Sequence, residues 1–239
     1  MKTIKYLTTL MAATFIYNSA SAQLTAGINI NAYKALGQYA NNIARNPSGI
    51  SFFGNYQIPQ SHFSIGGDFG AAMYANQEYT IKEAKEGGIQ GPEITYYEED
   101  CYLTYNVFGR AHLLKAEYGT VNPYIEAKIG ASSYFSDKIA QEDPTTGMVP
   151  EGAEEDEFSF HGTAFNLGIG GGVYINVGEL LGGGSRPFML DIGVSTINGT
   201  RTHYRSIDTE AGVITAEKYN FYKSATDNIQ LRFGFGVRF

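Results

Sequence analysis

The final stretch of the chain alternates without a break. Ile229, Leu231, Phe233, Phe235, Val237 and Phe239 are apolar, whereas Asn228, Gln230, Arg232, Gly234, Gly236 and Arg238 are polar or glycine. Successive side chains of an extended strand point to opposite faces. One face of this strand therefore suits lipid or a core, and the other suits water or a polar interior. A strand of about 10 residues is also long enough to cross a bilayer when tilted.

Seven further segments repeat the pattern. They run Leu24 to Asn31, Ile50 to Ile58, Phe63 to Met73, Cys101 to Leu113, Tyr124 to Phe135, Phe165 to Val177 and Phe188 to Thr196. Each alternation is weak alone, but the succession predicts an antiparallel all-β fold. The connections alternate as well. Those at 33–49, 74–100, 136–157 and 197–227 are long, and those at 59–62, 114–123 and 178–187 are shorter. An up-and-down transmembrane barrel with both termini on one side produces that alternation, and an even strand number closes its edges. Eight strands account for the segments. Ten stay open, because 93–114 reads either as one long strand or as a loop hairpin followed by a strand.

The first 22 residues are set aside from the barrel, which is expected over 23–239. Lys2 and Lys5 precede an uncharged, largely apolar run from Tyr6 to Ile16, and Ala20-Ser21-Ala22 offers a small-residue cleavage site before Gln23. That is the layout of a secretory signal peptide. No later segment is apolar and long enough for a membrane helix. No cysteine follows the cleavage site, so a lipid-anchored lipoprotein is not expected.

Composition narrows the function classes. The chain has 29 Gly, 18 Tyr and 15 Phe, no Trp, and 17% charged residues, against roughly 25% in soluble domains. Its net charge of −7 becomes more negative once Lys2 and Lys5 leave, and it carries no basic footprint of a nucleic-acid binder. Cys101 is the only cysteine, which excludes an intrachain disulfide and a Cys-cluster metal site.

With the alternating strands and the loop pattern, the chain resembles the small outer-membrane β-barrel family, the OmpA/OmpX-type barrels of Gram-negative bacteria. The resemblance covers 23–239, and its most specific element is Gln230-Leu231-Arg232-Phe233-Gly234-Phe235-Gly236-Val237-Arg238-Phe239. This segment is similar to the family's C-terminal targeting strand. The resemblance implies an outer-membrane location, recognition by the barrel-assembly machinery and an assembly signal at Phe239. The bland alternative is that Phe239 only fills the lipid face. No peptidoglycan-binding domain is expected after the barrel.

Strand parity places Asp68, Arg110, Glu126, Lys128, Asp191, Arg232 and Arg238 inward. An eight-stranded barrel has an interior just wide enough for side chains to fill, so these charges are expected to form an ion-pair network that plugs the lumen. A narrow solute path is the rival reading. His62 and His112 fall at the terminal end of their strands. His161, with Ser159 two residues away, and His203, beside Thr202 and near Asp208, leave a rim hydrolase open as a weaker rival. Neither G-x-S-x-G nor H-E-x-x-H occurs, and no catalytic residue, cofactor or metal is assigned. Gly168-Ile169-Gly170-Gly171-Gly172 lacks the helix and Lys-Ser/Thr of a phosphate-binding loop and suits relief of crowding near an inward aromatic such as Tyr174.

Glu142, Asp143, Glu151, Glu154, Glu155, Asp156 and Glu157 make the third long loop acidic. That run is a solvated surface or a bridge through cations to lipopolysaccharide. Tyr79, Tyr96 and Tyr97 are exposed adhesive or girdle aromatics in the second. The expected protein is a non-enzymatic outer-membrane barrel with surface loops for interaction. Its possible partners are membrane lipid, an envelope complex or an extracellular ligand. A small porin, a barrel hydrolase and a soluble exported β-sandwich are the alternatives.

Overall fold

The computed structural model describes residues 23–43, 45–84, 90–114, 120–141, 156–177, 188–207 and 219–239. Residues 1–22, expected to be a signal peptide, most of the acidic loop, the Gly182-Gly183-Gly184 turn and Asp208 lie outside them. So do the side chains of Tyr79, Asp156 and Glu157.

Every expected alternating segment is a strand. They are β1 (Gln23–Ala35), β2 (Ser48–Gln57), β3 (Phe63–Ala84), β4 (Gln90–His112), β5 (Val121–Ala140), β6 (Asp156–Asn176), β7 (Phe188–Gly199) and β10 (Asn228–Arg238). They close as β1-β10-β7-β6-β5-β4-β3-β2, with β1 pairing β2 on its other side. All these pairings are antiparallel, as in the β1–β10 seam where Thr25 faces Arg238 and Asn31 faces Arg232. The alternative of ten barrel strands is thereby settled in favour of eight.

The strand limits differ from expectation at the end away from the termini. Segments 74–84, 90–100 and 136–140, read as loop, continue the β3–β4–β5 ladder. Residues 90–112 form a single strand. Beyond the apolar band both faces of a strand can be polar, so the apolar alternation fades while the backbone ladder persists. β-Bulges at Met73/Ala75 and Tyr134/Phe135 mark the transition. The connection 197–227 contributes a separate hairpin, β8 (Arg201–Ile207) with β9 (Tyr219–Ala225). The first long connection forms a short helix, α1 (Gly37–Asn42), which starts at Gly37 with φ of 56°, a conformation that glycine adopts without a Cβ clash.

The faces are sorted in reverse of a water-soluble globule. Ile28, Ile30, Phe52, Ile65, Val107, Ile125, Ile129, Leu167, Ile169, Val194, Leu231 and Phe233 are exposed on the outside. Asn29, Asn31, Ser51, Asn55, Thr104, Asn106, Ser132, Asn166, Ser195 and Gln230 are buried inside. The parity is as expected, including in β2, where Phe53 shares the inward face with Ser51, Asn55 and Gln57.

Candidate functional site

The lumen is built in tiers. Nearest the termini, Thr25, Asn55, Gln57, His112, Asn122, Tyr174, Asn176, Met189 and Arg238 enclose a polar cavity of about 20 Å3, room for about one water. His112 Nε2 and Ser64 Oγ share a hydrogen bond of 3.0 Å, and the His62 ring nitrogen donates to the His112 carbonyl at 3.0 Å. Both histidines thus hold the terminal end of β3 and β4 together.

The middle tier is ionic. β4 supplies Arg110, β5 supplies Glu126 and Lys128, β7 supplies Asp191 and β10 supplies Arg232. Glu126 receives Arg110 Nε at 2.7 Å, Arg232 Nη2 at 3.0 Å and Lys128 Nζ at 3.1 Å. Asp191 lies 3.1 Å from Arg110 Nη2 and 3.4 Å from Arg232 Nε. The Tyr124 hydroxyl donates to Asp191 at 2.5 Å and accepts from Arg232 at 2.7 Å, while Arg110 also donates to the Tyr174 hydroxyl. The Arg110 guanidinium stands 4.3 Å over Phe108 and 4.5 Å over Tyr124, so apolar rings cover the charges that carboxylates leave open. A Cβ at Gly172 would come within 2.5 Å of the Tyr124 hydroxyl. Within the glycine run of β6, Gly172 makes room for Tyr124, Gly168 for Lys128 and Gly170 for Ser195, and none of them for Tyr174.

Five of the seven expected lumen charges meet in this cluster. Asp68 stands apart, accepting from Asn106 Nδ2 at 2.9 Å, and Arg238 stands in the wall of the terminal cavity. Cross-strand register explains both results. Arg110 is directly opposite Glu126, and Arg232 is opposite Gly193, next in its strand but one to Asp191. Asp68 is opposite Asn106.

The distal tier is aromatic. Tyr39 of α1 sits with its ring centroid 5.2 Å from Tyr204, 6.3 Å from Tyr134 and 6.5 Å from Tyr74. Tyr102 and Tyr33 continue the stack. Asn42 Nδ2 donates to the Tyr204 hydroxyl at 3.0 Å, and Tyr74 donates to the Arg205 carbonyl at 3.0 Å. Burial pushes the Tyr39 phenol well above its ordinary pKa. Helix, hairpin and barrel wall are thus joined across the mouth.

Above this tier lies a second charged cluster that the sequence reading missed. Arg205 reaches Glu98 at 2.5 Å and Asp100 at 2.9 Å. His161 was paired with Ser159 by sequence parity, but its Nε2 lies 2.7 Å from Ser136 Oγ. Ser136 in turn donates to Asp100 at 2.5 Å. The Ser136 proton goes to a carboxylate, so the imidazole N–H donates to the serine oxygen, and the serine is buried. A nucleophile needs a base that accepts its proton and an open approach; this chain of donors supplies neither. Burial lowers the His161 pKa, with Arg205 adding to the effect, and burial raises that of Asp100 against Arg205 and Ser136. Among the described residues no group of three or more His, Cys, Asp or Glu could hold a metal ion.

The other candidates separate. His203 is exposed on β8, and Cys101 is half-buried on β4. Tyr97 is exposed, but Tyr96 turns inward with Lys138 Nζ 4.4 Å over its ring. Phe239 is 73% exposed, and its backbone N–H donates to Leu24 at 2.8 Å. Continued parity through Ile94, Tyr96, Glu98 and Asp100 is the signal that finds the upper acids. Arg205 has no such signal, because its hairpin packs separately.

No protein-family model and no curated protein matches the chain. Among solved structures, Neisserial surface protein A is similar with a TM-score of 0.48 and 13% identity, covering 92% of this chain and 97% of that one. The attachment invasion locus protein Ail of Yersinia pestis, in complex with the heparin analogue sucrose octasulfate, gives a TM-score of 0.44 at 12% identity. That match covers 91% of this chain and 97% of Ail.

Proposed function

We propose that this chain is an integral outer-membrane barrel, exported through residues 1–22, whose lumen is plugged and whose distal loops serve interaction rather than catalysis. One observation carries the reading: a closed eight-stranded barrel wears its large apolar side chains outside and buries an ionic cluster inside. Each large apolar side chain left in water would forfeit roughly 1.5–3 kcal/mol, and closure leaves no strand edge for lipid to face. Lipid is the solvent that rewards both features.

A plugged, non-conducting lumen is supported by the Arg110–Glu126–Arg232–Asp191 cluster below and the tyrosine tier above, which occupy successive cross-sections. The exposed ring of Phe239 fits both a lipid contact and an assembly signal read by the barrel-assembly machinery. Membrane lipid is the expected constant partner.

The test has two arms. In an unboiled gel the protein should migrate faster than after boiling, and in planar bilayers it should show no steady conductance. Protein that stays monodisperse without detergent would refute the membrane reading, and a stable conductance would refute the plug. Phe239→Ala should lower the amount of assembled barrel in the outer membrane while leaving detergent-refolded barrel intact. Equal assembly in cells would remove the signal role.

A further inference from the structure

The cavity at the terminal end of the lumen is where the whole barrel wall converges. Its lining comes from β1, β2, β4, β5, β6, β7 and β10, and Ser64 of β3 joins through its 3.0 Å bond to His112 Nε2. At about 20 Å3 it accommodates one particle the size of a water, which excludes polyatomic ions such as phosphate or sulfate.

Three buried groups on this cavity receive no good hydrogen-bond acceptor from the protein. His112 is 4% exposed. With the Ser64 hydroxyl donating to Nε2, the ring proton sits on Nδ1, which is buried without a partner. Thr25, 3% exposed, directs its hydroxyl to the Met189 sulfur at 3.8 Å, and a thioether is a weak acceptor. Asn55, also 3% exposed, has its Oδ1 buried without a partner. Among the described residues no hydrogen bond holds its carboxamide, so a half-turn of that group can present the N–H instead. Gln57 and Asn122 are different, because their amide nitrogens are committed to the backbone carbonyls of Ser61, Phe63 and Leu114.

Electrostatics selects the sign of the occupant. Arg238 brings positive charge to the wall, and among the described residues no carboxylate side chain lines the cavity. One inward step along β4 and β7, about 7 Å, leads from His112 to Arg110 and from Met189 to Asp191. There the ionic tier sets three cations against two carboxylates. Tyr174 belongs to both places, since it lines the cavity and its hydroxyl accepts from Arg110. A water would serve the donors alone. A small anion serves the donors and the positive field together.

We propose that this cavity binds a single monoatomic anion, chloride in ordinary media, held by Arg238, His112 Nδ1–H, Thr25 and Asn55. These four residues stand on β10, β4, β1 and β2, so the ion bridges both sides of the β1–β10 seam and rivets the terminal end of the barrel. The inference concerns the lumen and does not depend on what surrounds the outer face.

The test uses the full mature chain, refolded in zwitterionic detergent without halide. Its unfolding midpoint is followed in sodium chloride, sodium bromide and sodium gluconate at equal ionic strength. Chloride and bromide should raise the midpoint, as a ligand that binds only the folded state does, and gluconate should not. R238Q should weaken the apparent chloride affinity about tenfold, and T25V about fivefold. The second variant keeps the test available if R238Q refolds poorly. K223Q removes an exposed cation at the opposite end of the molecule and should respond to chloride like wild type. Crystals of the refolded barrel grown in bromide should show its anomalous signal inside the cavity, beside His112. A midpoint indifferent to halide, variants R238Q and T25V that respond like wild type, or a bromide crystal with only water in the cavity would each overturn the proposal. A loss in K223Q as large as that in R238Q would reduce the effect to general screening and overturn it too. A chain that is soluble without detergent yet stabilised by halide fails the membrane reading and keeps this one.

Discussion

The ionic tier and the tyrosine tier both occupy the same lumen, and they are built by different means. The ionic tier is made entirely of side chains on barrel strands, so its geometry is fixed by ladder register. The tyrosine tier depends on Tyr39 from a short helix and Tyr204 from a separate hairpin, which are attached to the barrel without completing it. The first tier is part of the wall's own stability. The second is a cap whose loss leaves the wall standing.

The largest expected effect tests that division from below. Glu126→Ala leaves three cations facing one carboxylate in a buried site, and breaking a buried pair by removing one partner costs roughly 3–5 kcal/mol. The folded, fast-migrating form should be lost at markedly lower temperature or urea concentration. A variant as stable as wild type would show that the network contributes nothing to the wall.

Tyr39→Ala is the matching test from above. Deleting a buried aromatic typically costs about 3 kcal/mol or more, but here the loss should stay local. Hydrogen exchange should accelerate across 36–43 and 201–207 while the midpoint of barrel unfolding stays close to wild type. A fall in barrel stability equal to that of the Glu126 variant would erase the distinction. Asn42→Ala removes the 3.0 Å bond to Tyr204 and should cost about 1 kcal/mol of cap stability, read by the same local exchange.

The smallest effect depends on pH. Burial, reinforced by Arg205, depresses the His161 pKa, so the folded state favours the neutral ring. That contribution is present above the ordinary histidine value near 6.5 and is lost as pH falls below it. From pH 7 to about 5, exchange at the distal ends of β5 and β6 should rise more in wild type than in H161Q. The comparison cancels the opposing contribution of Asp100, whose raised pKa favours the fold at lower pH. Parallel profiles for the two proteins would show that His161 is not coupled to the extension.

The same contrast explains what could be read in advance. Parity alone placed Arg110, Glu126, Lys128, Asp191 and Arg232 inside, because within the apolar band the two faces of a strand meet unlike media. It could not say that Asp68 would settle on Asn106 or that Arg238 would stand at the end wall, since those depend on register between strands. Past Cys101 the rule weakened: Glu98 and Asp100 point inward beside Glu99 pointing outward, and three carboxylates in a row read as loop. Arg205 and Tyr39 were out of reach for a further reason. Their neighbours lie on other elements, more than 100 residues away for Arg205 and Asp100, and no periodicity reports such a meeting.

The seam between β1 and β10 joins Thr25 to Arg238, and the last strand of the chain also carries Arg232. Closing the cylinder brings together the two most distant strands of the chain, and the strand that does so has its cation seated against Asp191 of β7 on its other side. Until β10 is laid on β7, Glu126 and Asp191 lack one of their guanidinium partners. Arg232 therefore acts as a latch as much as a filler: correct seating of the final strand is rewarded in the interior, and a slipped register is penalised there, because a shift of one residue would turn that cation into lipid.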